Sequence, residues 1–148
     1  MATDENRETW VLLALDAGRD KCLSPVQLQK SLFLLSHARQ KEIGKGLFRF
    51  KPYHYGPFDV AVYEAADALA AHGLVHVEQT PGSYRVYRLT EAGVQQAEIR
   101  AEDEPQQAVD YLRRAVAFVE SVPFDVLIST IYKAFPAMAK NSVFRGAN

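Results

Sequence analysis

Apolar residues recur along most of this chain at the spacing of amphipathic helices, interrupted once by two short β-rich runs. Residues 6–16 place Trp10, Leu13 and Ala14 on one helical face, with Ala17 and Gly18 behind them as a stop. A short charged turn, "RDKC", separates this helix from "SPVQLQKSLFLLSHA". There Ser24 is the N-cap, Pro25 suits the first helical position, and Gln27 completes a capping box. Leu28, Leu32 and Leu35 then mark the buried face of a second helix, which the glycines of "EIGKG" end. In "DVAVYEAADALAAHG", Val62, Ala66, Leu69 and Ala70 predict a third helix, with Gly73 as a left-handed C-terminal cap. "LVHVEQT" and "YRVYRLT" flank the turn "PGS" and predict a hairpin, after which Thr90 caps a fourth helix, "EAGVQQAEIRAE".

The acidic, proline-marked "EDEP" is a composition break. It divides the chain into residues 1–103 and 104–148. Beyond it, "QQAVDYLRRAVAFVES" and "PFDVLISTIYKAF" present Val109, Leu112, Val116 and Val119, then Leu127, Ile128 and Ile131, as one apolar face each. The order of three helices, a two-strand wing and a following helix predicts a mostly helical α+β protein. Its expected architecture is a winged helix-turn-helix domain with a C-terminal helical pair packed on it. That pair is expected to dock on the first helix or on a second copy of the chain, as a homodimer.

Composition narrows the function classes. With 148 residues, 48% hydrophobic and 24% charged, the chain can bury a core of one ordinary domain. Its longest apolar runs fall far short of the roughly 20 residues that span a bilayer. The acidic start "MATDENRE" is unlike a signal peptide, so the expectation is a cytoplasmic protein with no membrane partner. A lone cysteine, Cys22, makes neither a disulfide nor a zinc knuckle and reads as a half-buried small hydrophobe. Of the histidines His37, His54, His72 and His76, the last two are four residues apart, but Gly73 at a helix end removes their shared face. No nucleophile elbow, HExxH or phosphate-cradling loop occurs, and "GKG" lacks the frame of a P-loop. The sequence therefore predicts no catalytic residues, no metal and no cofactor.

The net charge of −1 gives no overall attraction to nucleic acid or anionic lipid, but its distribution is uneven. Arg39, Lys41, Lys45, Arg49 and Lys51 stand close together against the single acid Glu42, whereas residues 52–84 contain no Lys or Arg. Between these regions lies "FKPYHYGPF". Pro57 fixes its own φ and moves Gly56 away from helical geometry, which forces a sharp turn into the third helix. The rings of Phe50, Tyr53, Tyr55 and Phe58 are expected to wedge between the second and third helices, leaving Lys51 and His54 at the rim. A base-stacking platform is the alternative reading of those rings.

Three short motifs in order, Leu28-Gln29-Lys30, Tyr55-Gly56-Pro57 and the late Tyr132, Pro136 and Ser142, give the chain a family likeness. Over residues 8–144 it resembles the Panacea-type (SocA-like) and related YwgA-like bacterial winged-helix proteins. It departs from them at Tyr53, where tryptophan is frequent, and at Ser31, where leucine is usual. The resemblance implies a non-catalytic antitoxin, adaptor or regulator of a bacterial toxin–antitoxin or phage-defence locus. Its partner is then a protein such as a cognate toxin or defence effector.

Two functions remain open at this level. A protein-binding module is expected to use the third helix through Tyr63, Glu64 and Asp67. A DNA-binding transcriptional regulator is expected to use Lys45, Arg49 and Lys51 together with Arg85 and Arg88 of the wing. Carboxylates on the third helix oppose its docking against phosphates, which favours the protein partner.

Overall fold

The computed structural model describes residues 3–82 and 85–144. The chain order is α1 (Asp4–Ala17), β1 (Cys22–Leu23), α2 (Pro25–Ile43), β2 (Lys51–Tyr53), β3 (Gly56–Phe58), α3 (Val60–Ala71), β4 (Val75–Gln79), β5 (Arg85–Leu89), α4 (Glu91–Glu102), α5 (Gln106–Ser121) and α6 (Phe124–Ala134), closed by a 3₁₀ turn at Pro136–Ala139. This is a mostly helical α+β architecture with two small antiparallel sheets. Ser83 and Tyr84, at the tip of the predicted hairpin, lie outside the described residues.

Local chemistry sets the helix ends. The Ser24 hydroxyl accepts the Gln27 N–H at 3.2 Å while the Gln27 side chain accepts the Ser24 N–H at 3.0 Å, so the capping box forms as predicted. Gly73 takes φ +77°, its N–H donates to Ala70 and the Leu74 N–H donates to Leu69, which together close α3 in a Schellman motif. Thr90 accepts the Gly93 N–H and donates its own hydroxyl to the Gly73 carbonyl, tying the start of α4 to the end of α3.

Two expectations about local structure are corrected. "RDKC" is more than a turn: after a 3₁₀ turn at Arg19–Lys21, β1 pairs with β5 through Cys22↔Arg88 and Leu23↔Tyr87, giving a sheet of order β1-β5-β4. The aromatic stretch is a second hairpin rather than a single turn into α3, with Tyr53 opposite Gly56 and Pro52 opposite Pro57. Phe50 and Phe58 are half-buried, but Tyr53 and Tyr55 keep 48% and 45% of their surface exposed and do not wedge between helices. Strand alternation turns Tyr53 outward together with Lys51, and Tyr55 lies in the two-residue turn between β2 and β3.

The core is organised around α1. Every residue from Thr9 to Leu15 is buried, so the predicted single apolar face is corrected to a helix covered on several sides by α2, α3, α4 and α5. Val109, Leu112 and Val116 of α5 join Trp10, Leu32, Leu69 and Tyr87 in one continuous cluster. Leu127 and Ile131 of α6 meet Phe33 of α2 and Val119 in a smaller one.

Candidate functional site

Gln29 and Lys30 are consecutive polar residues on α2, and both are buried. The Gln29 amide donates to the Asp59 carbonyl and accepts the Asp59 N–H, each at 3.0 Å, as a backbone segment would in a sheet. Asp59 in turn caps α3: one carboxylate oxygen accepts the Ala61 N–H at 2.9 Å and the other accepts the Arg49 N–H at 2.6 Å. The second helix thus fixes where the third begins.

Lys30 Nζ donates to the Pro57 carbonyl at 3.0 Å, and no carboxylate lies within ion-pair distance of it among the described residues. Burial pushes its pKa down to about 8, because an ammonium in an apolar setting loses its hydration. Gly56, at φ +97°, passes between this lysine and Tyr132: a β-carbon there would lie 3.5 Å from Lys30 Cε and 3.6 Å from Tyr132 Cε1. The Tyr132 hydroxyl is itself buried without a hydrogen-bond partner among the described residues. After Pro136, the chain returns to the hairpin, where the Ser142 hydroxyl and the Val143 N–H both donate to the His54 carbonyl, at 3.3 and 2.9 Å. Leu28 stays in the core. The three sequence motifs therefore converge on the β2–β3 hairpin.

Beside Lys30 a cavity of about 320 Å³ opens between α2, the hairpin and α3, walled by Val26, Tyr53, Tyr55, Phe58 and Tyr63. Its rim continues as an exposed aromatic surface. The Tyr55 and Phe124 rings lie 5.4 Å apart edge to face, and Tyr53 stacks on His54 at 4.3 Å.

The residues predicted for the two functions are distributed unevenly. On α3, Glu64 and Asp67 are exposed, while Tyr63 is half-buried, with its ring 5.3 Å from Phe58. Tyr63 therefore belongs as much to the cavity wall as to the outer face. Glu64 lines a separate cleft with Asp4, Arg7 and Glu8. Lys45, Arg49 and Lys51 are exposed on and just after the loop that follows α2. Arg85 lies over the Tyr63 and Tyr87 rings at 5.8 and 5.7 Å, with its side chain exposed.

The Arg88 guanidinium grips Glu78 through Nε at 2.7 Å and Nη2 at 3.2 Å, and Nη1 donates to the Asp20 carbonyl at 2.9 Å, which ties β5 to β4 and to the turn before β1. Burial raises the pKa of the neighbouring Cys22 thiol. Among the described residues no three His, Cys, Asp or Glu side chains are grouped to hold a metal, and no helix is long and apolar enough to cross a membrane.

The clamp of Gln29 on Asp59 and the unpaired burial of Lys30 were not legible in the sequence, since both depend on partners about thirty residues away. No family model, curated protein or solved structure matches the chain.

Proposed function

We propose that this chain is a winged-helix protein-binding module of antitoxin, adaptor or regulator type, of the Panacea-type and YwgA-like group, acting without catalysis in a bacterial toxin–antitoxin or phage-defence locus. Helices α1, α2 and α3, with the β2–β3 hairpin between the last two, are followed by the β4–β5 hairpin, and β1 is added beside β5; this arrangement supports the winged-helix reading. The observation that carries the binding role is the surface running from the β2–β3 hairpin onto α3: exposed Tyr53, Tyr55 and Val60 beside the carboxylates Glu64 and Asp67. Aromatic residues of this kind are enriched at protein interfaces, whereas a helix reading DNA presents Arg, Lys, Asn or Gln. On the wing, Arg88 is already engaged by Glu78 and the Asp20 carbonyl, which favours a protein over phosphate as the partner.

The test is a pull-down from the bacterial host beside a salt-titrated DNA-binding assay. Glu64→Lys with Asp67→Lys is expected to release a co-purifying protein partner while moving the thermal midpoint little, because exposed charges add little to stability. Sequence-selective DNA binding that Arg85→Ala weakens, with its salt dependence reduced by about one unit of log–log slope, would instead establish the transcriptional regulator. Recovery of no protein partner alongside that result overturns the proposal.

A further inference from the structure

We infer that the cavity between α2 and the β2–β3 hairpin is a binding site for a carboxylate carried on an aromatic or aliphatic group, with Lys30 as its anchoring cation. The inference concerns a ligand site and stands whether or not the α3 face binds a protein.

Lys30 stands in an imbalance of charge. Lys30 is 3% exposed, and its amine makes one hydrogen bond, to the Pro57 carbonyl. A protonated lysine has three donors and needs an opposite charge or water to offset its burial. Among the described residues, the side chains around it supply no opposite charge. Both amide atoms of Gln29 are engaged by the Asp59 backbone, and both Asp59 carboxylate oxygens are engaged as helix and loop caps. No other carboxylate pairs with Lys30 among the described residues.

The cavity beside the amine determines which anion suits it. Val26, Tyr53, Tyr55, Phe58 and Tyr63 give it apolar walls with phenol groups, and about 320 Å³ holds a group the size of a small aromatic acid. Among the described residues one lysine and no arginine line it, which suits a monoanion better than a phosphate, whose recognition draws on forked or multiple donors. Burial also raises the pKa of the Tyr63 phenol, so it adds no negative charge to the cavity wall. A carboxylate at Nζ restores the missing counter-charge while its apolar body lies against the rings. The depressed pKa of Lys30 agrees with an ammonium that lacks a partner in the free protein.

Such a carboxylate arrives either on a small molecule or on a peptide side chain, and two probes separate these sources. Phenylacetate represents the first and N-acetyl-Phe-Asp-amide the second, each compared with its neutral isostere, phenylacetamide or N-acetyl-Phe-Asn-amide. Binding is followed by NMR on the full chain with ¹³C-labelled lysine. At least one charged probe is expected to bind saturably, about tenfold or more tighter than its isostere, and to shift the Lys30 Cε signal. The better probe identifies the source. Lys30→Met should abolish the preference for charge. Tyr53→Ala, at an exposed position that folding tolerates, should weaken the charged probe several-fold and guards against a Lys30→Met protein that fails to fold. Charged probes that bind no tighter than their isosteres, that leave the Lys30 signal unmoved, or that do not bind at all overturn the site.

Discussion

Lys30 sits where a leucine would be cheaper, and the difference is measurable as a dependence on pH. Its pKa falls from an ordinary 10.5 to about 8 on burial, so the folded chain holds this proton less tightly than the unfolded one. Between these values the unfolded state binds more protons, and stability attributable to Lys30 rises with pH, by roughly 3 kcal/mol at most across the window. Below about pH 8 the whole penalty remains. Lys30→Met keeps the length and loses the charge, so the variant should be more stable than the parent at pH 7, with the gap narrowing as pH rises to 9.5. Urea midpoints of the two proteins over that range check this, and a constant gap would show that Lys30 is not buried as an ammonium. Gln29 is different in kind: Gln29→Ala leaves the Asp59 N–H and carbonyl without their partner and should cost roughly 2–4 kcal/mol in the same assay. The sequence singled out both residues only as members of a motif. Their roles lie in contacts to residues 57 and 59 that no local spacing encodes.

At the scale of elements, what was legible is what is local. The capping box at Ser24, the glycine closing α3 and the Thr90 cap each depend on residues within a turn of one another, and each stands where the pattern put it. The short strands β1, β2 and β3 were missed because two or three residues give no alternation to detect, and their existence is decided by a partner strand. For β1 that partner is some sixty residues further on. The β2–β3 hairpin depends on Gly56, whose φ of +97° a side chain adopts only under strain. A β-carbon there meets Lys30 and Tyr132 at ordinary contact distance, so the penalty of Gly56→Ala is conformational rather than steric. It should be roughly 1–3 kcal/mol. It should also loosen the hairpin's hold on the C-terminal segment at His54, read as faster amide exchange at Val143, whose N–H donates to that carbonyl. Unchanged exchange at Val143 would mean that the segment is held elsewhere.

The molecule as a whole is arranged so that α1 is surrounded, and this bears on the composition break near residue 104. Read from composition, the last two helices look like an appendage to residues 1–103. In the fold, the turn after Asp103 leads into α5, which lays Val109, Leu112 and Val116 into the same cluster as Trp10, Leu32 and Leu69, against α2 and α1. The α6 residues Leu127 and Ile131 cover Phe33 on α2, close to the hairpin that carries the cavity. Removing everything after Glu104 therefore strips cover from both central helices at once, whereas Leu112→Ala removes one buried side chain and should cost about 2–5 kcal/mol without changing the fold. The truncated chain is expected to lose its cooperative thermal transition and to aggregate or self-associate, because the α1 and α2 surfaces it exposes are continuous and apolar. Calorimetry and sedimentation of the truncated chain, the Leu112→Ala variant and the intact protein distinguish the outcomes. A truncated chain that melts cooperatively near the intact midpoint and stays monomeric would mean that residues 1–103 form a complete domain and that α5 only leans against it.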